Sequence, residues 1–155
     1  MSKKSVQDEF APNSICFGCG PSNKEGFQIK SYRTDDGLEM EFKCEEKHQA
    51  FPGVINGGVI GSLIDCHGNW TAAIAIMDKN GLDKPQCTVT ARYEVKLNRP
   101  TPFGPELKLK SRVLALQEDR AEVIIELKAD EKTCATGRGL FIAVKEGHPA
   151  YHRWH

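Results

Sequence analysis

The chain has no excess of either charge: its 155 residues carry 21 Lys+Arg and 21 Asp+Glu. A balanced chain sets up no global field toward polyanions, which argues against nucleic acid or an anionic membrane as a partner. It also lacks an apolar stretch behind the basic residues of its first ten positions, so no secretory signal is read there and a cytoplasmic location is expected. That compartment keeps thiols reduced, so the six cysteines read as thiols or metal ligands rather than a disulfide framework. Internal repeats, low-complexity tracts and Pro/Ser linkers are missing too, and with them any visible domain boundary. What remains is 39% apolar and 27% charged, enough for one core and too little charge bias for disorder.

One long apolar segment stands out. Gly57 to Met77 spans 21 residues and holds a single formal charge, Asp65. The length suits a membrane span, but Ser62, Asp65, His67, Asn69 and Thr71 sit in its middle, where lipid makes them costly. A buried helix explains it better. Asn56 is an N-cap type, and Val59, Ile60, Leu63, Ile64, His67, Trp70, Thr71, Ile74 and Met77 recur at helical spacing. The opposite face, with Gly61, Ala72, Ala73 and Ala75, is small rather than charged, so protein must surround this helix.

After Asp78-Lys79-Asn80-Gly81 the pattern changes to period two. Thr88 to Leu97 reads as a strand with Val89, Ala91, Tyr93, Val95 and Leu97 on one face and Thr88, Thr90, Arg92, Glu94 and Lys96 on the other. Leu107 to Leu116, Ala121 to Leu127 and Cys134 to Val144 alternate likewise, and short connections make them an antiparallel meander. Upstream, Phe27 to Tyr32 and Leu38 to Cys44 read as a hairpin. Two strands, a long apolar helix and four strands give an α+β chain whose sheet curls around the helix.

The joints of this order carry recognisable residues: Cys16-Phe17-Gly18-Cys19-Gly20-Pro21-Ser22-Asn23-Lys24-Glu25-Gly26, then Phe51-Pro52-Gly53-Val54-Ile55-Asn56-Gly57-Gly58 running on to Leu63-Ile64-Asp65, then Thr88-Val89-Thr90 with Asn98-Arg99-Pro100. Together they resemble the hot-dog fold, in particular its PaaI-like acyl-CoA thioesterases, over about residues 16 to 144. The resemblance implies a hot-dog domain over 15–145, flanked by an N-terminal segment 1–14 and a tail 146–155. One position departs from the family: its usual His-Gly-Gly turn is Asn56-Gly57-Gly58 here.

The residue chemistry runs the same way. Asn56-Gly57-Gly58 opens the helix, where unpaired N–H groups and the positive end of the dipole suit an oxyanion. Gly58 and Asp65 are seven residues apart, about two turns, and share a helix face that a substrate can span. The resemblance assigns Asp65 as general base or nucleophile in thioester hydrolysis and the Gly57/Gly58 amides as the groups that polarise the carbonyl. It sets the hydroxyl matching Thr90 near the carboxylate of a partner subunit, within a homodimer or homotetramer whose pockets are shared. His67 and Thr88 are candidate substrate contacts. The expected partner is an acyl-CoA substrate, without nucleic acid or membrane. Two other readings stay open: an acyl-CoA sensor without turnover, and a hydratase, which in the family needs a His about five residues past the Asp, where this chain has Trp70.

Asp65-Cys66-His67 is no triad, because successive helical residues point about 100° apart. Cys16-x-x-Cys19 supplies only two of the four ligands of a structural zinc site. Cys44 and His48 would complete a set if the hairpin folded back; the expectation is a glycine-rich turn over packed thiols, with no metal and no cofactor. The aromatic tail from His148 to His155 is expected to dock on the surface or fray.

Overall fold

The structure, a computed structural model, describes residues 3–155. Helix α1 (Val6–Phe10) starts at Ser5, whose hydroxyl accepts the Asp8 N–H. Strands β1 (Ser31–Arg33) and β2 (Gly37–Phe42) form the expected hairpin, shorter at its outer ends than the alternation suggested. A single 3-10 turn (Glu46–His48) and a two-stranded ribbon, β3 (Gln49–Phe51) and β4 (Val54–Ile55), lead into helix α2 (Gly57–Lys79). Four strands follow: β5 (Thr88–Leu97), β6 (Leu107–Leu116), β7 (Arg120–Ala129) and β8 (Lys132–Ala143).

The helix begins and ends where its residues dictate. The Asn56 side chain accepts the N–H groups of Gly58 and Val59. At the other end Gly81 adopts φ +65, and the N–H groups of Gly81 and Leu82 return to the carbonyls of Asp78 and Met77, the paired bonds of a Schellman stop. Between them α2 buries Ile60, Leu63, Ile64, Trp70, Ala72, Ala73, Ile74, Ile76 and Met77, which lie on every side of the helix. Among the described residues no helix is long and apolar enough to cross a membrane.

The sheet that encloses α2 is antiparallel, in the order β1-β2-β6-β7-β8-β5. This is the expected α+β architecture, a curled sheet around one central helix. On β7, Ala121, Val123, Ile125, Leu127 and Ala129 point inward at every second position. Close contact needs a helix residue with no side chain: a Cβ on Gly68 would lie 2.9 Å from the Phe141 ring and 3.0 Å from Ile125. The segments outside 15–145 are packed rather than loose. Val6 and Ala11 are buried, and the tail docks through Trp154, which stacks on Trp70 at 4.0 Å between ring centroids.

His67 does not reach a substrate surface. It is wholly buried on the sheet side of α2, where Ser31 Oγ–H donates to Nδ1 (2.9 Å) and Nε2–H points at Ser111 Oγ (3.1 Å) and the Leu38 carbonyl (3.2 Å). Gln7 extends the network through Ser31 and Thr71 through Ser111. A core network of this kind links α1, β1, α2 and β6 and leaves no ring nitrogen for a ligand.

Burial holds the His67 imidazole neutral, with its pKa down at about 4 against an ordinary 6.5. As pH falls past 6.5 the unfolded chain takes up a proton that the folded chain refuses until about 4, so stability drops across that window. The expected loss is roughly 3 kcal/mol. Urea unfolding from pH 7 to 4 measures it, and a folded His67→Asn variant should lose that part of the slope.

Candidate active site

Asp65 lies midway along α2, half-buried, on the side turned toward β5. Thr90 donates its Oγ1–H to Asp65 Oδ1 at 2.7 Å. Burial pushes the carboxyl above its ordinary range and the negative charge of Cys16 adds to this, while the Thr90 hydrogen bond and the Arg153 charge act the other way. Arg153 belongs to the docked tail and is held by the Thr88 carbonyl (2.5 Å) and Cys87 Sγ (2.8 Å).

Thr90 corrects the strand reading. Strict alternation placed Thr88 and Thr90 on the polar face with Arg92, Glu94 and Lys96, yet both point at α2. The reason is a bulge: Thr90 pairs with Phe141 and Arg92 with Leu140, so Ala91 is one residue too many. An extra residue reverses the parity of the strand. Thr88 and Thr90 before it therefore share the helix-facing side with Tyr93, which lies against Gly61, and Leu97, which lies against Gly57. Thr88 is fully buried and donates to Asn69 Oδ1 at 2.7 Å, so it offers no substrate contact. Thr90 bonds to Asp65 of its own chain.

At the start of α2, Asn56, Gly57 and Gly58 are exposed. Both expected oxyanion donors are present, but they are not equivalent. The Gly58 N–H is taken by Asn56 Oδ1 at 2.8 Å, and the Val59 N–H by the same oxygen at 3.2 Å. Gly57 N–H has no acceptor among the described residues and is the free donor of the turn. Gly57 and Asp65 are about 12 Å apart along the axis at 1.5 Å per residue. A single carbonyl cannot touch both within one chain.

A groove of about 610 Å³ opens beside this turn, lined by Phe17, Lys24, Lys43, Lys47, His48 and Asn56 among others. None of its lysines was legible as a site residue, because they come from two separate segments, the N-terminal turn and the connection after β2, and no local pattern joins them. His48 lines it as well, with its Nδ1 accepting the Glu45 N–H at 2.9 Å and burial lowering its pKa. A larger cleft of about 750 Å³ lies on the sheet face turned away from α2, among Glu94, Lys96, Lys110, Arg112 and Arg138. It contains neither Asp65 nor the helix N-terminus; the smaller groove contains Asn56 and Gly58 of that N-terminus but not Asp65. Cys16 and Cys19 do not meet Cys44 or His48; the third thiol beside them is Cys66.

The same architecture occurs in known proteins. No family model matches the chain. A solved thioesterase superfamily protein from Shewanella loihica is 30% identical, with TM-score 0.65, over 81% of this chain and 98% of that one. The chain belongs to the thioesterase superfamily. A Saccharolobus solfataricus protein named a putative esterase is 26% identical over 110 residues, 69% of this chain and 67% of its own length. A Bacillus halodurans protein solved with CoA shares the fold at 21% identity and TM-score 0.62, over 77% of this chain and 76% of that one.

In this chain the Asn56 side chain thus folds over the amides of Gly58 and Val59. Asn56→Ala is expected to cost about 1 kcal/mol of stability, read as a lower urea midpoint. Asn56→Ser, which keeps a capping oxygen, should recover most of it.

Proposed function

We propose that this protein hydrolyses acyl-CoA thioesters, with Asp65 as the base for the attacking water and the Gly57 N–H as the oxyanion donor. The observation that carries the reading is the Asp65–Thr90 pair: the one charge of an apolar helix, half-buried, raised in pKa and held by a hydroxyl at 2.7 Å. A carboxylate tuned upward by burial is a better proton acceptor than one in water. Asp65 takes a proton from water as its oxygen bonds to the carbonyl carbon, and the oxyanion forms against Gly57 N–H. The C–S bond then breaks, the CoA sulfur leaves with that proton, and the free acid remains.

Because about 12 Å separates the two groups on one helix, each site in this proposal combines Gly57 of one chain with Asp65 of the partner subunit. The edge strand supports such pairing. β5 ends the sheet, and beyond Thr90 it exposes backbone together with Tyr93 and Leu97. A second β5 would remove that row of unpaired groups in a two-fold homodimer. Further pairing of dimers into a tetramer is compatible with it.

For the CoA end, the groove beside the helix N-terminus brings Lys24, Lys43 and Lys47 together, a setting that attracts phosphates. The Bacillus halodurans relative was solved with CoA, in line with this ligand class. The hydratase reading loses its base, since Trp70 is buried under Trp154. Binding without turnover is the second reading, favoured by the Asn56 oxygen that occupies two amides of the turn.

Thiol release from a panel of acyl-CoA chain lengths separates the two, because a sensor binds the panel and releases nothing. Asp65→Asn is expected to lower kcat by about 10²- to 10⁴-fold with KM little changed; wild-type rates in this variant would end the proposal. Gly57→Pro tests the donor cleanly. Proline is tolerated at the first helical position and removes only the free N–H, so a folded protein with kcat down by about 10²- to 10³-fold is expected. Mixed Asp65→Asn and Gly57→Pro subunits should regain activity through the one intact site of each heterodimer, whereas Asp65→Asn mixed with Thr90→Ala should regain none. Replacing Lys24 and Lys47 together with Ala should raise KM several-fold at constant kcat and flatten its salt dependence.

A further inference from the structure

We propose that Cys16, Cys19 and Cys66 form a three-thiolate site for a soft divalent cation of the Zn2+ type, with the fourth position left to an exogenous ligand. The three sulfurs lie within 4.8 Å of one another, and the Cys16 and Cys66 sulfurs are 3.9 Å apart. A tetrahedral centre with Zn–S bonds of about 2.3 Å has S···S edges of about 3.8 Å. The cluster therefore closes on an ion by movements of less than about 1 Å. A disulfide between Cys16 and Cys66 would instead require the sulfurs to approach to about 2.05 Å, across the helix–turn contact.

The surroundings are built for thiolates. Trp70 Nε1–H donates to Cys19 Sγ at 3.4 Å, and the backbone N–H groups of Cys19 and Gly18 act on the Cys16 sulfur. Such donors fix ligand orientation and stabilise charge on sulfur. Residue 18 must be glycine for the set to assemble, because a Cβ there would fall 2.3 Å from the Cys66 sulfur. The turn thus delivers two ligands from a Cys-x-x-Cys spacing and makes room for the third, which comes from α2, 50 residues away.

Burial sets how the site opens. Cys19 is buried and Cys16 is half-buried. A divalent ion binds the thiolate forms and displaces the thiol protons to solvent, which makes uptake pH-dependent. Cys16 leaves the cluster an open side, so the fourth ligand comes from solvent or a small molecule. The site would clamp the N-terminal turn onto α2 one residue from Asp65.

The test uses the full chain, kept reduced and stripped with a chelator, then titrated with Co2+ and Zn2+. One ion per chain is expected, with the strong visible bands of tetrahedral cobalt and a sulfur-to-cobalt charge-transfer band in the near ultraviolet. Cys66→Ser and Cys16→Ser should each weaken uptake by about 100-fold. Cys16 sits on the N-terminal turn and not on α2, so its variant remains informative if Cys66→Ser misfolds. Cys44→Ser, outside the cluster, should bind as the wild type does. Folded, reduced protein that takes up neither ion would overturn the proposal, as would undiminished uptake by Cys16→Ser. A Cys16–Cys66 disulfide recovered from protein trapped with an alkylating agent, in place of bound metal, would overturn it equally.

Discussion

Nearly every feature of the molecule depends on enclosing α2, because a 23-residue helix with apolar or small side chains on all sides has no face to give to water. One sheet face cannot cover a cylinder, so the sheet curls, and α1, the ribbon before α2 and the docked tail close what it leaves open. The tail is part of this enclosure: Trp154 lies flat on Trp70, and Arg153 ties the segment to the start of β5. Most polar groups inside the enclosure are paired, Thr101 Oγ1 and Trp154 Nε1 being unpaired among the described residues. His67 is the clearest case, with Ser31, Ser111 and the Leu38 carbonyl using both its ring nitrogens.

Where the enclosure is incomplete, chemistry becomes accessible. Asp65 is half-buried beside the edge strand, and the first amides of α2 are exposed at the opposite end of the same face. In the proposed function, the edge strand and the separation of the two groups have a common physical remedy, a second copy of the chain, and the groove next to the helix N-terminus takes the anionic end of the substrate.

The alternation of β6 and β7, the boundaries of α2, the Asn56 cap and the isolation of Asp65 were all legible in the sequence, because each is set by side chains within a few positions of one another. The strand β5 was legible as a strand but misread by face. A single bulge at Ala91 moves Thr88 and Thr90 to the helix side, and nothing in the local pattern marks which residue is extra. The ribbon of β3 and β4 and the helix α1 escaped notice because they are short enough for tertiary contacts to decide them.

By itself, then, the sequence determined that one buried helix would be wrapped by an antiparallel sheet, since periodicity and the lack of a polar helix face leave few other ways to hide apolar surface. It also determined that a lone carboxylate would sit on that helix. Only the tertiary structure decided who meets whom: Thr90 with Asp65, Cys66 with the Cys16–Cys19 turn, Trp154 with Trp70, and His67 with the core rather than a ligand. Those pairings join positions 25 to 84 residues apart in the chain. Backbone parity, a missing Cβ at Gly18 and the docking of the tail control them, and no spacing rule in the sequence encodes such long-range geometry.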